Sequence, residues 1–373
     1  MSRTIFCDLH IHSCFSIASS SRMLPDRLVA GCRTKGIGVL GSGDALHARW
    51  RSLWEETPPD DRVLVVPTTE LEDRDRVHHL VIMDSFASCA ELGEELAGHA
   101  KNLAATGRPH LDLPGSAIAA AVHEQGGLIG PAHAFTPWTS LFASFESPAA
   151  CYGDERPDFL ELGLSADSSY GAGISALAGV PFLSNSDAHS PDPAKLGREF
   201  TGLDLRERTV HGVLESIRDG RVTLNAGFFP EEGKYNRTAC IRCYHQFSRS
   251  EAETCGWRCP HDRGRIKKGV FDRAQELADG PLLPRPPYLH IIPLGEIIRS
   301  TCGASSTRTK ACTRLYDRFI AGCENEIRVL TTAPADELAA IDSRVAGAVM
   351  ALRSGRVQLS PGGGGRYGSF SFS

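Results

Sequence analysis

Histidines and carboxylates recur in this chain at spacings that suit a metal cluster. In "RTIFCDLHIHSCFS" a short apolar run leads into Asp8, and His10 and His12 then stand two residues apart. The side-chain period of a strand is two, so both imidazoles face one side. The same grammar returns along the chain. "GIGVLGSGD" ends at Asp44 with His47 just beyond, "RVLVVPTTE" at Glu70, "GGLIGPAH" at His133, and "VPFLSNSDAH" at Asp187 and His189. "RVHHLVIM" carries His78 and His79, and "PDFLELGLSAD" carries Glu161 and Asp167. Mixed imidazole and carboxylate donors suit zinc, manganese or iron; a Mg²⁺ site leans more on carboxylates. One histidine at a strand end is ordinarily just a satisfied polar residue. Many strand ends with the same donors point to a shared cation site.

Repeated β-α units are the elements that bring such distant residues together. "PDRLVAGCRTKG" has Pro25 in a first-turn position and Gly36 as its stop, and "GSAIAAAVHEQGG" has the same form. Strand and helix in alternation argue for parallel β-α units. Parallel strands gather their C-terminal ends on one face of a barrel, where barrel enzymes place their chemistry. Adjacent strand residues point to opposite faces, so only one of His78 and His79 serves the site. Glu161 and Asp167 are candidates for orienting ligands, contacting a substrate or capping.

Near residue 230 this grammar stops. "ACIRC" places Cys240 and Cys243 in a CxxC pair, and "CGWRCPHDRGRIKKGV" adds Cys255, Cys259 and His261. Clustered Cys and His at this spacing predict a zinc-ribbon-like element with one structural zinc. The second pair is broken, so Cys255, His261 and Asp262 compete for the fourth ligand position. Charge changes at the same place. Residues 1–229 hold 19 Lys+Arg against 30 Asp+Glu, a net −11; residues 230–373 hold 21 against 15, a net +6. The expected organisation is therefore a catalytic body, 1–229, and a smaller basic α+β domain, 230–373. Arg242, Arg258, Arg263, Arg265, Lys267 and Lys268 form a candidate phosphate-contacting strip, or else a solvated face.

At this point the chain resembles a known superfamily. "DLHIHS", "GSGDALH", "TTELED", "VHH", "GPAHAF" and "SNSDAH" are similar to motifs of the polymerase and histidinol phosphatase (PHP) superfamily. That resemblance implies a distorted (β/α)7 barrel and two or three divalent metals (Zn, Mn or Mg) for phosphoester hydrolysis. Residue by residue it implies His10, His12, Glu70, His133, Asp187 and His189 as ligands, with His10, Glu70 and Asp187 central to catalysis. Asp44 matches the second motif, whose usual following histidine is absent, so His47 is the substitute. In the fourth motif it favours His78. The ordered segments "PEEGKYNRTACIRC", "CPHDRGRIKKGVFDRAQELAD", "RPPYLHIIPLGEII" and "GRYG" resemble one branch, endonuclease Q, over nearly the whole chain. The implied activity is nicking of DNA 5′ of hypoxanthine, uracil, xanthine and abasic sites. The implied partner is DNA carrying those lesions. Under this resemblance Tyr235, Tyr244, Trp257 and Tyr288 become candidates for stacking on a base, with burial in the core as the alternative.

Composition is that of a globular protein, 41% hydrophobic and 23% charged. No apolar run approaches the roughly 20 residues of a membrane span. Without a basic n-region and apolar h-region, the expectation is a reducing cytoplasmic setting at the nucleoid, with the 12 cysteines free or metal-bound. Two rival readings have different signatures. A small-molecule phosphatase of the histidinol phosphatase type has no use for a basic, cysteine-bearing appendage. A non-catalytic DNA-binding protein has no reason to keep the barrel's ligand-type residues.

Overall fold

The structure, a computed structural model, describes residues 4–101 and 103–372. It is an α/β protein. Strands β1 (Thr4–Asp8), β2 (Val39–Gly41) and β3 (Leu64–Val66) lie parallel and adjacent. On the other side of β1 run β9 (Phe200–Asp204), β10 (Val222–Gly227) and β13 (Tyr288–His290), giving the order β13-β10-β9-β1-β2-β3. β4 (Thr68–Glu72), β5 (His78–Ile82) and β6 (Leu128–Pro131) form a second sheet, and β7 (Leu160–Glu161) pairs with β8 (Phe182–Leu183).

Helix α1 (Pro25–Lys35) starts at its proline and stops at Gly36, whose φ of 91° only glycine adopts without strain. Helix α2 (Ala48–Glu55) follows β2. Gly115–Glu124 is helical, as its pattern predicts. The expectation of parallel units throughout is corrected. β9 runs antiparallel to β1, and β4, β5 and β6 are antiparallel to one another. The link from Glu72 to His78 is too short for a crossover helix, so the chain returns as a hairpin.

The region after 230 holds two small paired elements, β11 (Ala239–Cys240) with β12 (Ile266–Lys267) and β14 (Val357–Ser360) with β15 (Ser369–Phe372). Between them lie helices Leu294–Thr301, Lys310–Cys323, Glu326–Thr331, Ala335–Ile341 and Ser343–Arg353. These helices share a core with the first part: Met23, Leu28, Cys32, Trp50 and Trp54 belong to one buried cluster with Ile297, Phe319, Leu330 and Val349. A buried ion pair crosses the same boundary. Lys35 Nζ lies 2.7 Å from Glu326 Oε1, and Glu326 also accepts from Leu294 N and Tyr316 Oη.

Candidate metal centre and adjoining cavity

The chain beyond β1 carries the two opening histidines. Ile11 bridges Ala188 in parallel, and His12 N donates to Ala188 O, so the segments 8–12 and 184–189 lie side by side. His10 Nδ1 faces Glu161 at 2.9 Å; His12 Nδ1 faces Asp44 at 3.1 Å. Each ring is thereby turned so that Nε2 points inward. His12 Nε2 stands 3.2 Å from Asp187 Oδ1 and 3.4 Å from Glu70 Oε2, and His10 Nε2 is 3.7 Å from Glu70 Oε1. Glu70 Oε1 also meets His78 Nδ1 at 2.8 Å and His133 Nε2 at 3.0 Å. His189 Nδ1 approaches Asp187.

Three overlapping donor groups result: His10, His12 and Glu70; His12, Asp187 and His189; Glu70, His78 and His133. Among the described residues, the Nε2 atoms of His10 and His12 are buried without a hydrogen-bond partner. A buried polar atom left unpaired is costly and needs an explanation. A divalent cation supplies one, and the donor set fits it. The electrostatics agree. Burial pushes the Glu70 carboxyl up, but His78, His133 and His10 outweigh it and hold it well below the usual carboxylate range. Burial opposes charge on His10, yet Glu161, Glu70 and Asp187 lift it to about 9. The pocket is negative and draws positive charge. Asp44, His133 and Asp187 all have positive φ, backbone strain gathered at one place.

The remaining predicted residues fall as follows. His47 is not brought to the cluster. It caps helix α2, with Nδ1 accepting from Trp50 N, and its ring stacks on Phe15 at 4.0 Å. The chain turns into helix three residues after Asp44, which carries His47 away. Asp44 is used up by His12 Nδ1, Ser13 N, Ser13 Oγ and Ser16 Oγ, so it orients His12 from behind. His79 faces the opposite side from His78 and binds Asp73 and Tyr152. Glu161 takes three donors, from His10, Asn185 and the His133 amide. Asp167 caps a short helix and accepts from His290.

In the second region Cys240, Cys243, Cys259 and Asp262 converge. Cys240 Sγ is 3.3 Å from Asp262 Oδ1, and the Cys243 and Cys259 sulfurs are 3.6 Å apart. Cys255 and His261 stay outside this group. Cys255 ends the helix Arg249–Thr254, and His261 packs edge-on to His245. Arg242, Arg258, Arg263 and Arg265 are exposed. Lys267 donates to Pro137 O and lies 3.5 Å over the Trp138 ring, and Lys268 pairs with Glu276. Trp257 sits under Lys268, 5.5 Å from its ammonium, and Tyr244 is exposed. Tyr288 is half-buried, its hydroxyl is buried and unpartnered, and its ring lies 5.0 Å from His290.

Beside the donor cluster opens a cavity of about 830 Å³, walled by His78, His133 and Asp187 on one side and by Tyr235, Glu296 and Tyr367 on the other. Arg108, at its edge, reaches Glu70 Oε2 at 3.2 Å. Sequence reasoning missed Arg108 because it stands in a loop with no motif around it. Lys195, Arg198 and Arg299 add positive charge to the wall.

An α/β body with imidazole and carboxylate donors converging near its strand ends, beside a cavity whose walls carry both basic and acidic side chains, defines a class of candidate metal-dependent hydrolases. Comparison with known proteins narrows it. A crystal structure of the lesion-specific endonuclease PfuEndoQ from Pyrococcus furiosus is 40% identical, with a TM-score of 0.95 over 99% of this chain and 96% of that one. Endonuclease Q in complex with a 27-mer duplex bearing an abasic lesion at the active site gives 40% identity and a TM-score of 0.94 over 100% of this chain and 97% of that one. Protein YqxK of Bacillus subtilis is 30% identical over 98% of this chain and 99% of its own length. Protein MJ0043 of Methanocaldococcus jannaschii is 44% identical over 64% of this chain; the match spans only 31% of that longer protein. The family model described as the MJ0043 C-terminal domain matches residues 293–356, the helical region. The chain belongs to the endonuclease Q family. Among the described residues, no helix is long and apolar enough to cross a membrane.

Proposed function

We propose that this chain is a metal-dependent endodeoxyribonuclease that nicks DNA on the 5′ side of deaminated bases (hypoxanthine, uracil, xanthine) and of abasic sites. The observation that carries this reading is the junction of two features in a chain similar to endonuclease Q end to end. Unpartnered Nε2 atoms face carboxylates, and a nucleotide-sized cavity opens beside them. His10, His12, Glu70, His78, His133, Asp187 and His189 hold two or three divalent cations. When bound, such cations lower the pKa of a water and neutralise charge on the phosphodiester. The protein does the rest. Glu161 and Asp44 hold the Nδ1 sides of His10 and His12, so each ring would present Nε2 to a bound cation, which would displace its proton. Arg108 offers guanidinium hydrogen bonds to a phosphate oxygen at the cavity edge.

A base altered on its pairing edge cannot be inspected inside the duplex, so it is extruded and read in the cavity. Trp138 and Tyr235 are placed to stack on it. The exposed Arg242 and Arg265 contact the DNA backbone, as basic residues on such enzymes do.

We read the strands as a distorted (β/α)7 barrel over residues 1–229. Hydrogen bonds across the gaps between sheets support this: Ala45 N to Thr68 O, Ala134 N to Glu161 O, and Asn225 Nδ2 to Phe182 O. The part from 230 onward serves lesion recognition. Cys240, Cys243, Cys259 and Asp262 hold its structural zinc. The setting is the cytoplasm, at the nucleoid.

The test is a panel of end-labelled duplexes carrying one inosine, uracil, xanthine or abasic site, beside an undamaged control, with Mn²⁺, Mg²⁺ or Zn²⁺. The expected result is a single nick 5′ of each lesion, leaving 3′-hydroxyl and 5′-phosphate ends. Equal cutting of damaged and undamaged strands contradicts the reading.

A further inference from the structure

The segment Ser13–Ser20 is a serine-rich loop with one misfit. Ile17 is 79% exposed, although an isoleucine side chain is stabilised by burial. The loop is fixed. Ser16 Oγ lies 2.9 Å from Asp44 Oδ2 and 3.2 Å from His12 Nδ1. Ser20 N donates to His189 O at 2.8 Å. Phe15 stacks on His47, which is in turn locked to helix α2. Ala18, with φ at 62°, turns the chain at the tip. The side chain that projects therefore belongs to a rigid loop bolted at both ends to candidate ligand residues.

Its place is informative. Ile17 borders a small depression with Ser16, Thr106, Arg108 and His189, outside the large cavity but sharing Arg108 with it. It is one residue from a hydroxyl that touches His12. The apolar rings on the cavity side differ. Trp138 lies under Lys267, Tyr367 lies near Lys234, and both line the cavity itself. Those rings suit the extruded base. Ile17 projects to solvent outside the cavity, beside Arg108 and the candidate ligand His189.

We propose that Ile17 is a positioning residue that enters the vacated stack and holds the lesion nucleotide out of the duplex. This rests on the lesion-endonuclease reading above. Apolar wedges of this kind offset the loss of stacking when a base step is opened. A wedge acts only where a stack must be opened. It leaves single-stranded cleavage alone, whereas a side chain that shapes the metal centre affects every substrate alike.

The experiment compares wild type, Ile17→Ala and Ile17→Leu under single-turnover conditions on three inosine substrates: a single strand, a matched duplex, and a duplex with the inosine in a one-nucleotide bulge. Ile17→Ala is expected to lose about tenfold or more on the matched duplex. On the single strand it stays within about threefold of wild type, and the bulge restores most of the loss. Ile17→Leu keeps duplex cutting. Equal losses on all three substrates, or no loss on the duplex, overturn the wedge while the endonuclease reading stands. A wild-type protein that cuts no inosine substrate overturns both.

Discussion

Glu161→Gln tests the architecture of the metal centre with the change of a single atom. Three donors converge on the two Glu161 oxygens: His10 Nδ1 at 2.9 Å, Asn185 Nδ2 at 2.8 Å and His133 N at 2.8 Å. Glutamine offers one oxygen and one amino group, so one donor must face another. A buried donor left unsatisfied costs about 1–3 kcal/mol. His10 has one escape: it moves its proton to Nε2 and accepts at Nδ1. That tautomer cannot ligate through Nε2. Either outcome weakens the centre, and partners of this kind are worth about 10–100-fold in metal affinity. That is roughly 1.4–2.7 kcal/mol at 1.36 kcal/mol per decade. Metal affinity is read by competition with a chelator, and nicking is followed against metal concentration. The variant is expected to fold, to bind metal about 10–100-fold more weakly, and to regain activity at high metal. Unchanged affinity with unchanged nicking would refute the claim that Glu161 holds the Nδ1 side of His10.

Further outcomes follow from other parts of the molecule. Cys240→Ser should release one equivalent of zinc and lower the melting temperature, whereas Asp262→Cys should retain zinc more tightly; a zinc content insensitive to both changes means these residues only pack. Glu326→Ala leaves Lys35 buried without its partner and should cost about 3–5 kcal/mol, read from denaturant unfolding; a loss under about 1 kcal/mol shows that this pair is not what ties the helical region to the first part. Burial lifts the Glu199 carboxyl to about 8, so the folded protein keeps a proton that the unfolded chain gives up. Stability is then full below the unfolded carboxylate pKa and falls as pH rises through about 8. Glu199→Gln should therefore gain on wild type as pH rises from 6 to about 8 and level off above it; a constant gap in melting temperature over that range contradicts it.

Much of the site was legible because strand alternation is a strict rule. His78 and His79, inside β5, had to part, and the structure brings His78 to Glu70 and sends His79 to Asp73; His10 and His12 also come together, but past the end of β1, where the Ile11–Ala188 bridge holds them. What lay beyond a strand's end was less legible. His47 sits three residues past Asp44, where a helix begins, and only three-dimensional capping decides its direction. Glu161 was singled out, but its task depends on three donors distant in sequence. Arg108 lies in a loop that no periodicity governs. The antiparallel hairpins escaped because an apolar run does not encode strand direction. Asp262 was open as a fourth ligand, and the tight turn that lets it meet Cys240 is local geometry rather than spacing. The shared core between α1 and the late helices has no signature either, since amphipathic spacing names a buried face and not its partner.

The central claim is that the His/carboxylate cluster drives a lesion-specific nick. Its most direct test is one measurement on a matched pair of duplexes that differ only in a single inosine. Metal-stripped wild type and His10→Ala are each resupplied with Mn²⁺, and the position and ends of the product are mapped. The account predicts a nick immediately 5′ of inosine, only in the lesion strand and only with wild type plus metal, leaving a 3′-hydroxyl and a 5′-phosphate. Undiminished nicking by His10→Ala, or cutting of the undamaged duplex at the same rate, would contradict it.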